Sequence, residues 1–209
     1  MNRRPVSRKE KAALTRNKLY ASAEQLFRQH GFEAVNVDAI VRHAGVSKGS
    51  FYVYFESKNF LIATLINDYV KKVDFDYRRH MESLPLNLPA QDIIYALVNK
   101  IVDVLTENIG ITNMRILYKI QLDEESKTNA IIDYNRELYQ LFCDVISLGI
   151  ARHELQTPYP AEDVARHFVM AFRGLAFEWC VRHPDFDLKE QAQHHFKLLM
   201  SGMAGTGQK

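Results

Sequence analysis

Apolar positions along this chain recur at helical spacing, and almost no stretch alternates with period two. Leu19, Ala23, Leu26 and Phe27 fall on one face of a first helix, which Gly31 ends. Asn36 caps a short second helix with Asp38 in its first turn, near the positive end of the helix dipole. Val37, Ile40, Val41 and Ala44 form its apolar face. Gly45 then lets the backbone turn sharply, and Ser47 caps a third helix over about 48–54. Phe51 and Phe55, one helical turn apart, point into a small three-helix core; Tyr52 points elsewhere. Gly49, in the first turn of the third helix, leaves room for something outside to approach closely. Ser57 caps a long fourth helix to about Glu82, with Leu61, Leu65, Tyr69 and Val73 at roughly heptad steps.

Pro85 and Pro89 break the chain next. Periodicity resumes at Ile93, Leu97, Ile101, Val104 and Leu105, and Gly110 separates this run from a helix over 111–122. Further helices are predicted over about 127–153, 161–183 and 187–203. The helix over 161–183 is apolar nearly all round, which predicts burial on both sides. The pattern is all-α: a small N-terminal unit, residues 1–56, and a larger helical one, 57–209, with about nine helices.

Charge changes the picture. Net charge is only +2, yet residues 1–60 hold 11 Lys or Arg against 5 Asp or Glu, and the rest holds 16 against 20. Such asymmetry fits a nucleic-acid surface at the N-terminal end or a basic, solvated tail. Helix, short Gly turn, helix and basic flank is the helix-turn-helix arrangement. Cys143 and Cys180 have no CxxC or Cys/His metal spacing, so neither a disulfide framework nor a metal site is indicated. No signal-peptide core and no run of about 18 apolar residues occurs, so a cytoplasmic protein with no membrane partner is expected. No GxSxG, Walker loop or dinucleotide fingerprint is present, and neither an enzyme nor a cofactor is expected. The run Asp123–Glu125 suits a solvated turn.

Gly31-Phe32, Asn36-Val37, Ile40, "AGVSKGSFYVYF" (44–55) and Lys58 resemble the DNA-binding region of the TetR family of bacterial transcriptional regulators. The likeness covers residues 12–65, with Asn36 replacing the usual Ser or Thr and Val41 the usual Ala. It implies that the third helix enters the major groove. Lys48, Gly49, Ser50, Tyr52 and Val53 then match groove-facing positions. Lys48 has donors for guanine or phosphate, Ser50 for either, and Val53 an apolar contact for a thymine methyl. Tyr52, Tyr54 and Lys58 match positions that grip phosphate. Asn36, Val37 and Ser47 stand at helix starts whose amides suit the same task. Arg42 reaches DNA backbone or is a solvated charge.

The resemblance also implies a homodimer on a palindromic, double-stranded operator and a small-molecule effector, with repression as the default. The last two helices would form the dimer interface through Ala171, Gly174, Leu175, Phe196, Leu199 and Met203, although the same pattern describes a monomeric core. Met114, Tyr118, Tyr134, Leu138, Phe142, Phe168, Phe172 and Trp179 are candidates for an apolar effector pocket or are plain core. Arg115 and His167 are candidate contacts for an anionic ligand, or exposed. The alternative function is a helical, DNA-bound adaptor regulated by a protein partner, with no small-molecule effector.

Overall fold

A computed structural model describes residues 7–122, 133–183 and 185–203. Among the described residues there are nine α-helices and no strand. They are α1 (Arg8–His30), α2 (Val37–Ala44), α3 (Lys48–Tyr54), α4 (Lys58–Glu82), α5 (Ala90–Asp103), α6 (Ile111–Leu122), α7 (Glu137–Ala151), α8 (Ala161–Arg182) and α9 (Leu188–Ser201). A π-helical segment, Val104–Ile109, continues α5 and ends at Gly110, whose φ is 76°.

The chain divides into two compact units. Of the described residues, the first holds 7–68 with 119–122, and the second holds 69–118, 133–183 and 185–203. The division falls inside α4 and again inside α6, so each of these helices contributes residues to both units. The expected boundary at residue 56 instead lies in the short turn between α3 and α4.

The first unit is built on a compact core of Leu19, Ala23, Val35, Ile40, Val41, Phe51, Phe55 and Leu61. Val41, bulkier than the family's usual Ala, is only 7% exposed and belongs to this core. The basic N-terminal stretch is not an arm from residue 8 onward. Ser7 and Glu10 form a reciprocal capping box, each side chain bonding the other's backbone N–H, and this nucleates α1 at Arg8.

The second unit packs α5, α7, α8 and α9 around interlocking rings. Phe142 contacts Phe168 and Phe196, and Phe172 contacts Phe196, at centroid separations of 6.0–6.3 Å. The helix predicted from about residue 127 starts at Glu137. Residues 127–132 lie outside the described residues, and Asp133–Arg136 is a turn in which Asp133 accepts from the amides of Asn135 and Arg136. Local side-chain-to-backbone bonding of this kind competes with helix, which is why apolar periodicity alone overran the start. The carboxylate run Asp123–Glu125 and the tail from Ala204 also lie outside the described residues.

Candidate nucleic-acid interface

The helix-turn-helix is assembled by caps. Asn36 Oδ1 accepts from the Ala39 amide at 2.8 Å, fixing the start of α2. Gly45 adopts φ 66°, ψ 38°, a left-handed conformation that reverses the chain with no Cβ strain. Ser47 Oγ accepts from the Ser50 amide at 3.2 Å and fixes the start of α3. Phe51 and Phe55 are fully buried and anchor α3 by one face. The opposite face is open: Val53 is 75% and Tyr52 54% exposed, with Lys48 and Gly49 beside them. A Cβ built at Gly49 would meet only Ser47 Oγ, at 3.9 Å, so the backbone here is accessible from outside.

Several expected contacts sit differently. Val37 turns its side chain onto the core, leaving its backbone at the helix start. Tyr54 is half-buried against the same core. The Ser50 hydroxyl pairs with Ser47 Oγ at 2.8 Å, so a DNA contact would share it. Arg42 is exposed. Lys48 Nζ is bound by Asp38, at 2.9 Å to Oδ1 and 3.1 Å to Oδ2, and this carboxylate raises the Lys48 pKa.

Lys58 differs most. Its ammonium donates to the carbonyls of Phe32 (3.0 Å) and Val35 (2.9 Å) and lies 4.0 Å from the Phe32 ring centroid. Burial pushes its pKa down. A residue expected to hold phosphate thus clamps the α1–α2 turn. Phe32 in turn rests edge-on against Phe27 of α1. The motif placed a lysine at the start of α4 correctly, but pattern matching cannot say which acceptors lie within reach.

In the second unit the expected pocket residues are mostly sealed core. Met114, Leu138, Phe142, Phe168, Phe172 and Trp179 are each 7% exposed or less. Tyr118 donates its hydroxyl to the Arg173 carbonyl at 3.1 Å and meets Phe177 edge-on. Tyr134 is half exposed beneath the Arg166 guanidinium. Arg115 donates to the Cys180 carbonyl at 2.7 Å, which occupies a group expected to meet an anion, and His167 is exposed. Burial raises the thiol pKa of both Cys143 and Cys180. A groove of about 390 Å³ is lined by Thr106, Trp179, His183, Phe186, Asp187 and Leu188, and Trp179 is the one expected pocket residue on it.

The expected interface residues divide. Phe196 is fully buried among its own chain's rings and is unavailable to a partner. Leu175, Leu199 and Met203 are half-buried against the core, Ala171 is half-buried, and Gly174 is exposed with nothing near a built Cβ. The sequence reading missed the exposed stripe around Gly174: Met170, Phe177 and Val181 are 45%, 43% and 61% exposed. Their spacing from residue 170 at i, i+4, i+7 and i+11 was the available signal.

Residues 19–65 match the family model described as bacterial regulatory proteins, tetR family. The repressor BepR of Brucella suis is 25% identical over 184 residues, spanning 86% of this chain and 87% of its own. Residues 19–65 therefore carry the DNA-binding region of the TetR family. Across 92% of this chain and 90% of its own, the regulator AcrR of Shigella flexneri is 21% identical. Among solved structures, FadR of Thermus thermophilus, in complex with lauroyl-CoA, shares the fold with TM-score 0.67 and 18% identity, over 90% of this chain and 94% of that one. The helix-turn-helix lies within the residues that match the tetR family model, and the relatives matched over most of the chain are transcriptional regulators.

Proposed function

We propose that this regulator represses transcription by binding a palindromic operator as a homodimer, and that a small, largely apolar ligand taken up by the second unit releases it. The observation that carries the reading is the open face of α3. Lys48, Gly49, Tyr52 and Val53 are exposed on a helix whose other face is pinned by Phe51 and Phe55. A donor, a bare backbone, a hydroxylated ring and an apolar tip on one rigid seven-residue helix form a base-reading set for a major groove. Two symmetry-related copies would engage half-sites about 34–36 Å apart, one turn of duplex.

Support for the ligand comes from the groove at Trp179. The lauroyl-CoA held by the Thermus thermophilus relative is an apolar chain on a polar carrier, and it supports an apolar effector class. Helix α4 is unbroken through the division between the units, which supports communication along it. A ligand that lowers operator affinity 5- to 150-fold must bind the DNA-incompetent state tighter by about 1–3 kcal/mol, and by linkage operator must weaken ligand binding by the same factor.

The test starts with selection of duplexes from random DNA, expected to yield a palindromic site bound far more tightly than bulk DNA. Affinities for selected and bulk duplexes that agree within error overturn the regulator reading. A thermal-shift screen of acyl-CoA and other apolar compounds follows, with reciprocal titration of each hit against the selected operator. A hit that binds while leaving operator affinity unchanged at saturation refutes the release mechanism.

A further inference from the structure

Asp38 and Lys48 join the two helices of the helix-turn-helix on its solvent side. The ammonium lies 2.9 Å and 3.1 Å from the two carboxylate oxygens, and the side chains are 56% and 54% exposed. An ion pair this exposed contributes at most about 1 kcal/mol to stability. A negative charge is also an unfavourable choice for a surface that must approach phosphates. Asp38 stands in the first turn of α2, two residues past the Asn36 cap, where the amides of the helix start offer an anion site. The helix dipole and the exposed ion pair give this carboxylate a modest stabilising role, and general attraction to DNA does not account for it.

We propose that Asp38 is a specificity-determining residue that acts by positioning Lys48; the inference rests on the reading of α3 as the base-reading helix. A free lysine is a mobile charge on a four-carbon stem and seeks any phosphate. With its ammonium held against one carboxylate, Lys48 keeps fewer free N–H groups, and those point away from Asp38. The pair is electrically neutral, so it adds little to counterion release and little to non-specific binding. A base edge presenting an acceptor along a remaining N–H is favoured, and sequences that place none there gain nothing from Lys48. Asp38 thus suppresses binding to the wrong DNA as much as it supports the right one.

The experiment is a double-mutant cycle on the full chain, reading the ratio of affinity for the selected operator to affinity for bulk duplex at one fixed salt concentration. Asp38→Asn is expected to raise bulk-DNA affinity and to lower the ratio about 3- to 10-fold, within the usual range for coupled neighbours. In a Lys48→Met background the same Asp38→Asn change is expected to move the ratio less than about 2-fold, because the residue it acts through is gone. Asp38→Glu, which keeps the charge, should retain most of the wild-type ratio. A ratio unchanged by Asp38→Asn overturns the inference, as does an equal change in both backgrounds, which would reduce Asp38 to a simple repelling charge. Wild-type protein with a ratio near one is a separate outcome: it removes the regulator reading itself, and this inference with it.

Discussion

Lys58 shows how far one residue's role depends on its acceptors. Its motif position suits a phosphate, yet its ammonium is turned back onto two carbonyls of the α1–α2 turn. Replacing it with Met keeps the stem and removes the donors. The Phe32 and Val35 carbonyls then rely on water, and Lys58→Met is expected to lower stability by about 1–2 kcal/mol in urea denaturation. The salt dependence of DNA binding should keep its slope. A residue gripping phosphate would give the reverse pattern, a slope shallower by about 0.9 with little loss of stability. Tyr118 offers a second test at this scale. Burial, assisted by neighbouring Cys180, pushes its pKa up to about 12. An unfolded tyrosine ionises near pH 10, so the buried neutral phenol contributes stability that is complete below pH ~10 and is lost as pH rises through about 12. Thermal unfolding of wild type and Tyr118→Phe across pH 9–12 should converge as that contribution disappears; parallel curves would contradict the assignment.

Between elements, the tie between α4 and the start of α7 stands out. Arg136, just before α7, donates from Nε and Nη2 to the Asp74 carboxylate of α4 at 2.7–3.0 Å, and both side chains are largely buried, 13% and 9% exposed. Arg78 of α4 pairs with Glu137 one residue further on. A buried pair adds little net stability as a pair, but removing one partner leaves the other charged and unsolvated. Asp74→Ala is therefore expected to destabilise the protein by about 3–5 kcal/mol, read from denaturant midpoints. Replacing both partners with apolar residues should recover much of that loss. Nothing in the periodicity of α4 announced this contact. Asp74 reads as one more polar residue in "KKVDFDYRR", and only the turn of Asp133–Arg136 brings the guanidinium to it.

For the whole molecule, the proposed homodimer has a sharper surface than the sequence provided. Met170, Gly174, Phe177 and Val181 form one exposed stripe on α8. Leu199, a plausible interface residue from sequence, is half-buried against its own core, so a charge there tests folding as much as assembly. Gly174→Glu and Phe177→Glu place the charge on exposed positions. Both are expected to sediment as monomers, since an unpaired charge buried between partners costs several kcal/mol, and for Gly174→Glu, whose site touches nothing, the melting temperature extrapolated to low protein concentration should be unchanged. Dimers that persist in both variants move the interface to another face.

The sequence by itself determined the helices, the caps at Asn36 and Ser47, the glycine turn at Gly45 and the buried pair Phe51 and Phe55. These follow from residue types interacting within a few positions, so a local pattern is sufficient. The helix-turn-helix was legible for the same reason: its function is carried by one short, contiguous segment. Tertiary structure decided everything that depends on a distant partner. It turned Lys58 from phosphate to backbone, gave Lys48 a carboxylate, filled the expected pocket with close-packed phenylalanines, and took Phe196 out of the expected interface. A hydrophobic stripe records only that a face avoids water; whether it meets its own core, a ligand or a second chain is set by what the rest of the fold brings against it.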